Sequence, residues 1–336
     1  VMITDVDSMM EQLKESHYFN LPSQGNIYTM AFLQVANCPH KILVASLKRD
    51  IFCIEYQESQ GGLIPTTKEI SFTYIPSGAE IIAIDAFNKS QTKNEFVIGI
   101  AIIKNSNLLD SLEFYLNIYS EWEENDDFNI DNIAQNCLNV ELNFTPYQLT
   151  HTDLIIWEDD KIVSREVVFL LSGSDNQIHI YREYADHLYK ELENKEYFPE
   201  FIKTPSPVVW MDLHFNKDSS EDVLTYGLSN YISLPRHDYT CVLTCCQIAD
   251  IDFDGDKEIL IGNTSEEIML YKRDPDRGWC LEELKLFASP IISMKYVDVI
   301  EDGVKELVVL SMKGVHFLQH DFSFVDKALS DKIVNF

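Results

Sequence analysis

The sequence predicts an all-β fold, a β-propeller of antiparallel four-stranded blades, on three observations. One hairpin pattern recurs six times, the first run of most copies is almost wholly apolar, and a further apolar stretch precedes most copies. In order, the copies are KILVASLKRDIFCIEY (41–56), FVIGIAIIKNS continued by FYLNIY (96–119), EVVFLLSGSDNQIHIY (166–181), DVLTYGLSNYISL (222–234), EILIGNTSEEIMLYK (258–272) and ELVVLSMKGVHFLQH (306–320). An unbroken apolar run of strand length suits a strand covered on both faces, and Gly, Ser, Asn or Asp between two such runs supplies the turn of a hairpin. The preceding stretches at 27–33, 80–87, 208–215, 245–253 and 291–299 add a third strand, and a more variable fourth completes a blade. A sandwich would not need the same hairpin six times.

Helical spacing is confined to 131–140 and 185–197, both between units. They predict insertions at about 121–140 and 185–205 in a single propeller domain spanning 1–336, since neither Pro nor Gly gathers into a linker. Residues 121–131, EWEENDDFNID, carry six carboxylates and read as a solvated loop.

With 46% hydrophobic and 24% charged residues, the 336-residue chain is expected to form a packed core. Its 26 Lys and Arg against 55 Asp and Glu give a net charge of −29. That surface repels nucleic-acid phosphates and has no attraction of its own for an anionic leaflet. No apolar stretch approaches the roughly 20 residues that span a bilayer. Residues 1–12 carry neither a cationic nor an apolar signal region, so no secretory signal is expected. The seven cysteines lie mostly in apolar runs and read as reduced core thiols. Cys241 and Cys245 with His237 lack a second ligand pair and are rejected as a zinc site.

One motif carries chemistry. DIDFDGDKEI (250–259) sets Asp250, Asp252 and Asp254 ahead of Gly255 and then Glu258. Alternating carboxylates gather hard oxygen donors around one point while Gly takes the turn, an arrangement suited to Ca²⁺. An EF-hand would need an acid where Ile261 stands, and helical flanks; the D-x-D-x-D-G-x-x-E loop between strands resembles instead the calcium loop of FG-GAP propellers. The alternative is that these carboxylates cap the turn by accepting backbone N–H bonds. Asp298, Asp302, Gly303 and Glu306 repeat the spacing with Ile300 at the middle ligand position, which makes that loop the poorer metal candidate. No catalytic motif is present, and His179 and His316 occupy strand positions, so catalytic and cofactor-binding residues are expected to be none and Ca²⁺ is the sole candidate cofactor.

Five ordered blocks, SFTYIPSGAEIIAIDAFNKS (71–90), NIDNIAQNCLNVELNFTPYQL (129–149), VVFLLSGSDNQIHIYRE (167–183), IADIDFDGDKEILIG (248–262) and KELVVLSMKGVHFLQH (305–320), resemble the kaptin family over most of the chain. The resemblance implies a WD-type propeller acting as a non-enzymatic scaffold of the KICSTOR complex. It also implies partners among the other KICSTOR subunits and, through them, GATOR. The expected role is restraint of TOR kinase signalling when amino acids or glucose are scarce, by tethering GATOR to lysosomes. The protein would be cytoplasmic and peripheral on the lysosomal membrane. The family's second described property, F-actin binding in actin-rich projections, would need basic patches, for which the sequence offers Lys41 with Lys48 and Arg49, and Lys272 with Arg273 and Arg277. Against the family pattern, the interval 235–244 is short by about one blade, which implies a seven-bladed parent.

Overall fold

The computed structural model describes residues 9–334 apart from positions 37–38, 48, 61, 91–92, 107–110, 121–128, 159–160, 186–187, 193–197, 199–200, 202–203, 205, 214–232 and 236–239. A single helical turn, α1 (Met9–Gln12), leads into β1 (Leu13–Asn20). Among the described residues the strands form five four-stranded antiparallel sheets. The first is β2 (Met30–Leu33), β3 (Lys41–Ala45), β4 (Ile51–Ser59) and β5 (Gly62–Ile70). The second is β6 (Glu80–Asn88), β7 (Phe96–Asn105), β8 (Leu112–Ser120) and β9 (Cys137–Leu142). The third is β10 (Pro146–Glu158), β11 (Lys161–Gly173), β12 (Ile178–Glu183) and β13 (Tyr189–Glu191). The fourth is β14 (Leu243–Ala249), β15 (Glu258–Asn263), β16 (Glu267–Asp274) and β17 (Gly278–Leu286). In the fifth, β18 (Ile291–Val297), β19 (Glu306–Ser311) and β20 (Gly314–His320) are completed by β1.

The chain divides into two compact units, Tyr28–Ile232 and Val1–Ile27 with Ser233–Phe336. In β3 and β19, the second strands of their sheets, every residue is buried, whereas β11 is buried only from Val168 onward and exposes Ile162 and Val163. Outer strands such as β17 alternate with solvent, because only one of their faces meets a neighbour. In the larger unit Leu33, Leu43, Ile84, Ile98 and Tyr119 share one core, and Phe87, Leu149, Phe169 and Tyr181 another. Each such side chain contributes roughly 1.5–3 kcal/mol of burial.

β1 lies antiparallel to β20, from Leu13 opposite His320 to Asn20 opposite Gly314. Two β17 side chains anchor its start. Glu283 accepts from the amides of Met9 and Met10, each at 2.8 Å, and Lys285 donates to the carbonyls of Met10 (2.7 Å) and Leu13 (2.8 Å). The first and last of the described strands therefore share one sheet.

Five of the six hairpin copies are the paired second and third strands of these sheets; the copy at 222–234 lies almost wholly outside the described residues. The helical expectation for 131–140 is corrected. Asn129 caps only the four-residue α2 (Ile130–Ile133), and from Cys137 the chain pairs with β8, whose open edge offers a full ladder of hydrogen bonds. At 185–197 the described part includes β13, paired with β12, where a helix was expected. The described residues 208–213, expected as an inner strand, belong to no strand; Gln148 grips both backbone groups of Met211 instead. A helix the sequence reading missed, α3 (Phe322–Val334), starts at Asp321, whose carboxylate accepts from the Ser323 amide at 3.0 Å. Of the acidic stretch at 121–131, residues 121–128 lie outside the described residues.

Candidate functional site

Two acidic loops join first to second strands in the smaller unit, residues 250–257 between β14 and β15 and residues 298–305 between β18 and β19. They are built alike. Phe253 and Glu301 take φ of 61° and 63°, and Gly255 and Gly303 take 100° and 88°, the left-handed region glycine enters without steric cost. The leading aspartate of each loop accepts from that glycine amide, Asp250 Oδ2 at 3.1 Å and Asp298 Oδ2 at 2.9 Å. The closing glutamate reaches back across the turn: Glu258 Oε2 accepts from the Ile251 amide and Glu306 Oε2 from the Val299 amide, both at 2.8 Å. Asp254 and Asp302 each cap the residue two further on, at 2.8 Å in both loops. Through these bonds the carboxylates cap their own turn.

Carboxylate oxygens of Asp250, Asp252 and Asp254 also lie within 4.8 Å of one another, as do those of Asp298, Asp302 and Glu306. Of the four residues predicted as ligands, the structure thus brings three together, while Glu258 stands deeper, fully buried. What distinguishes the first loop is Lys272 on β16. Its Nζ bonds to Asp252, lies 2.5 Å from Asp254 Oδ2 and 3.6 Å from Glu258 Oε1, an oxygen with no hydrogen-bond donor. Burial alone would lower the lysine pKa, but the bonds to Asp252 and Asp254 outweigh it and raise it. Glu258 is pushed up to about 7 by burial, with the charges of Asp252 and Asp254 adding to the shift. Glu306 is pushed up to about 7 by burial, with the charges of Asp302 and Asp298 adding. The oxygen donors of the first loop suit Ca²⁺ in type, but the Lys272 ammonium competes for the lone pairs of Asp252 and Asp254.

Sequence reasoning missed Lys272 as a loop residue because it lies on the returning strand. The signal was present, since Glu258 and Lys272 face one another one step beyond the Ile259–Tyr271 pair. It also missed the packing of Phe253, whose ring stands 4.9 Å from that of His320 and 6.0 Å from that of Phe324 on α3. His320 bonds the Tyr296 hydroxyl at 2.8 Å, and burial pushes its pKa down to about 4.

The other candidates have structural partners. His179 stacks on Phe144 at 3.8 Å and bonds Glu191 at 2.7 Å, while His316 lies 3.0 Å from Ser311. Of the basic patches, Lys41 pairs with Glu55, Arg49 donates to the carbonyls of Ile75 and Pro76, and Arg277 pairs with Asp274 at 2.9 Å. Lys48, Cys38 and His237 lie outside the described residues. The described cysteines, Cys241 and Cys245 included, form no disulfide, and burial pushes Cys53 and Cys245 up to about 12.

The family model described as KICSTOR complex protein kaptin matches residues 13–221 and 219–330. A curated mouse protein, KICSTOR complex protein kaptin, is 32% identical over 387 aligned positions that cover 92% of this chain and 88% of the relative. Among solved structures, BBS1N in complex with ARL6DN, soaked with mercury, aligns at a TM-score of 0.41 and 10% identity over 92% of this chain and 96% of that one. Its lead-soaked counterpart aligns at 0.32 and 9% over 91% and 97%. By the extent of the family match and the identity with the mouse relative, this chain belongs to the kaptin family.

Proposed function

We propose that this chain is a non-enzymatic scaffold subunit of a KICSTOR-type complex, a single propeller domain that works by assembly with the other subunits. In this reading it holds GATOR at the lysosome and so restrains TOR signalling when nutrients are scarce. The observation that carries it is the family match over nearly the whole chain. Acidic loops in which Asp250, Asp298, Glu258 and Glu306 each cap a backbone amide, and histidines that bond or stack on structural partners, support a binding role over a catalytic one. The repeated four-stranded sheets, with β1 completing one of them, support a propeller of antiparallel blades. Among the described residues no helix is long and apolar enough to cross a membrane, which supports recruitment through partners.

The alignment with the mouse relative runs to 387 positions although this chain has 336 residues, so it requires gaps here. The family match also breaks into two pieces that meet at 219–221. Both support a seven-bladed parent with one blade shortened or lost.

Affinity purification of the protein at its natural level tests the reading. Recovery of KICSTOR and GATOR subunits is the expected result. Recovery of actin without them would replace it with the cytoskeletal role.

A further inference from the structure

Among their differences, which also set Ile251 against Val299, Phe253 against Glu301 and Asp256 against Val304, the two acidic loops differ at one middle position and at the residue facing the closing glutamate. Where the first has Asp252 as its middle carboxylate, the second has Ile300. Where the first has Lys272 facing its closing glutamate, the second has Gln319, one step beyond the Leu307–Leu318 pair and so facing Glu306. The extra acid and the extra base occur together, and they bond to each other. The remaining framework of glycine, leading aspartate and closing glutamate is common to both loops, with hydrogen bonds that match to within 0.2 Å at Gly255 and Gly303 (3.1 and 2.9 Å).

We propose that Lys272 is the resident cation of the Asp250–Glu258 loop: its ammonium occupies the place a divalent ion would take, and the loop holds its shape without metal. An ammonium among several carboxylates offsets their mutual repulsion as a bound ion would, and being covalently tethered it is never diluted away. A Ca²⁺ ion has to displace it from Asp252 and Asp254 before those oxygens can coordinate, and the displaced ammonium would then stand beside a dication. Removing the lysine charge leaves Asp250, Asp252 and Asp254 gathered within 4.8 Å without the Lys272 ammonium on Asp252 and Asp254, a geometry open to a divalent ion.

The experiment is thermal unfolding of the purified full chain, in chelator and in millimolar CaCl₂, for the unmodified protein, Lys272→Met and Lys272→Met with Asp252→Asn. The unmodified protein should melt at one temperature in both buffers. Lys272→Met should gain a calcium-dependent rise of about 3 °C or more, and Asp252→Asn should abolish the gain. If Lys272→Met fails to fold in chelator, folding in calcium is the supporting result and failure in both buffers the contrary one. A calcium-dependent rise in the unmodified protein, or a folded Lys272→Met that ignores calcium, overturns the proposal.

Discussion

The loops at 250–257 and 298–305 share a backbone course and differ in how their charge is balanced. The first gathers three aspartates and sets Lys272 among them; the second replaces the middle acid by Ile300 and faces its glutamate with Gln319. The same acidic turn is therefore built both with and without a carboxylate at its middle position. What the loops hold in common is the pair of caps, a leading aspartate on the glycine amide and a buried glutamate reaching back across the turn.

The largest expected effect tests that shared element. Glu258→Ala and Glu306→Ala should each destabilise the fold by about 2–3 kcal/mol in denaturant unfolding, because each leaves a buried amide, Ile251 or Val299, without its acceptor. Equal losses mean that capping is the common function. A much larger loss at Glu258 would shift the weight to the charge cluster around it.

The next effect is one of pH. Glu306 has a folded pKa near 7, above its ordinary value, so the folded state holds this proton more tightly than the unfolded chain does. The stability it contributes is complete below the ordinary glutamate range and is lost as pH rises through about 7. Glu306→Gln, which imitates the protonated acid and still offers Val299 an acceptor, should match the unmodified protein near pH 5 and exceed it above pH 7 by an amount on the order of 1–2 kcal/mol. Chemical unfolding of the two proteins across this range checks it. His320 titrates the other way, since its pKa is lowered, but it is present in both proteins and cancels in the difference.

A smaller effect comes from the turn itself. Gly255→Ala and Gly303→Ala should each cost about 1 kcal/mol, since both positions hold left-handed φ and no atom crowds the added methyl. The smallest is a transplant: Gln319→Lys places a cation where Lys272 stands in the first loop and should stabilise the second by less than about 1 kcal/mol, measured as a small rise in melting temperature.

Much of this fold is legible in the chain because local chemistry and tertiary role agree. β3, β7, β11, β15 and β19 each contain an unbroken apolar run, 42–45, 96–103, 167–171, 259–262 and 307–310, as strands covered on both faces do. The outer strands are not legible in the same way. Residues 137–142 and 189–191 are short and partly exposed, and their spacing alone does not tell a strand from a helix; the open edges of β8 and β12 decide it. The partner of β1 is invisible locally, since LKESHYFN is mostly polar and its ladder, with the anchors at Glu283 and Lys285, comes from the far end of the chain. In the site, the acid spacing showed the loop and both of its readings. Lys272 was missed because a base facing an acid across a hairpin is found only by counting register, not by scanning a motif.

Isothermal titration of Ca²⁺ into the unmodified, chelator-treated protein tests most directly the claim that the first loop is neutralised from within. With Lys272 seated on Asp252 and Asp254, no saturable heat is expected up to millimolar calcium. A saturable, stoichiometric heat that disappears in Asp254→Ala would contradict the account and make this loop a calcium site.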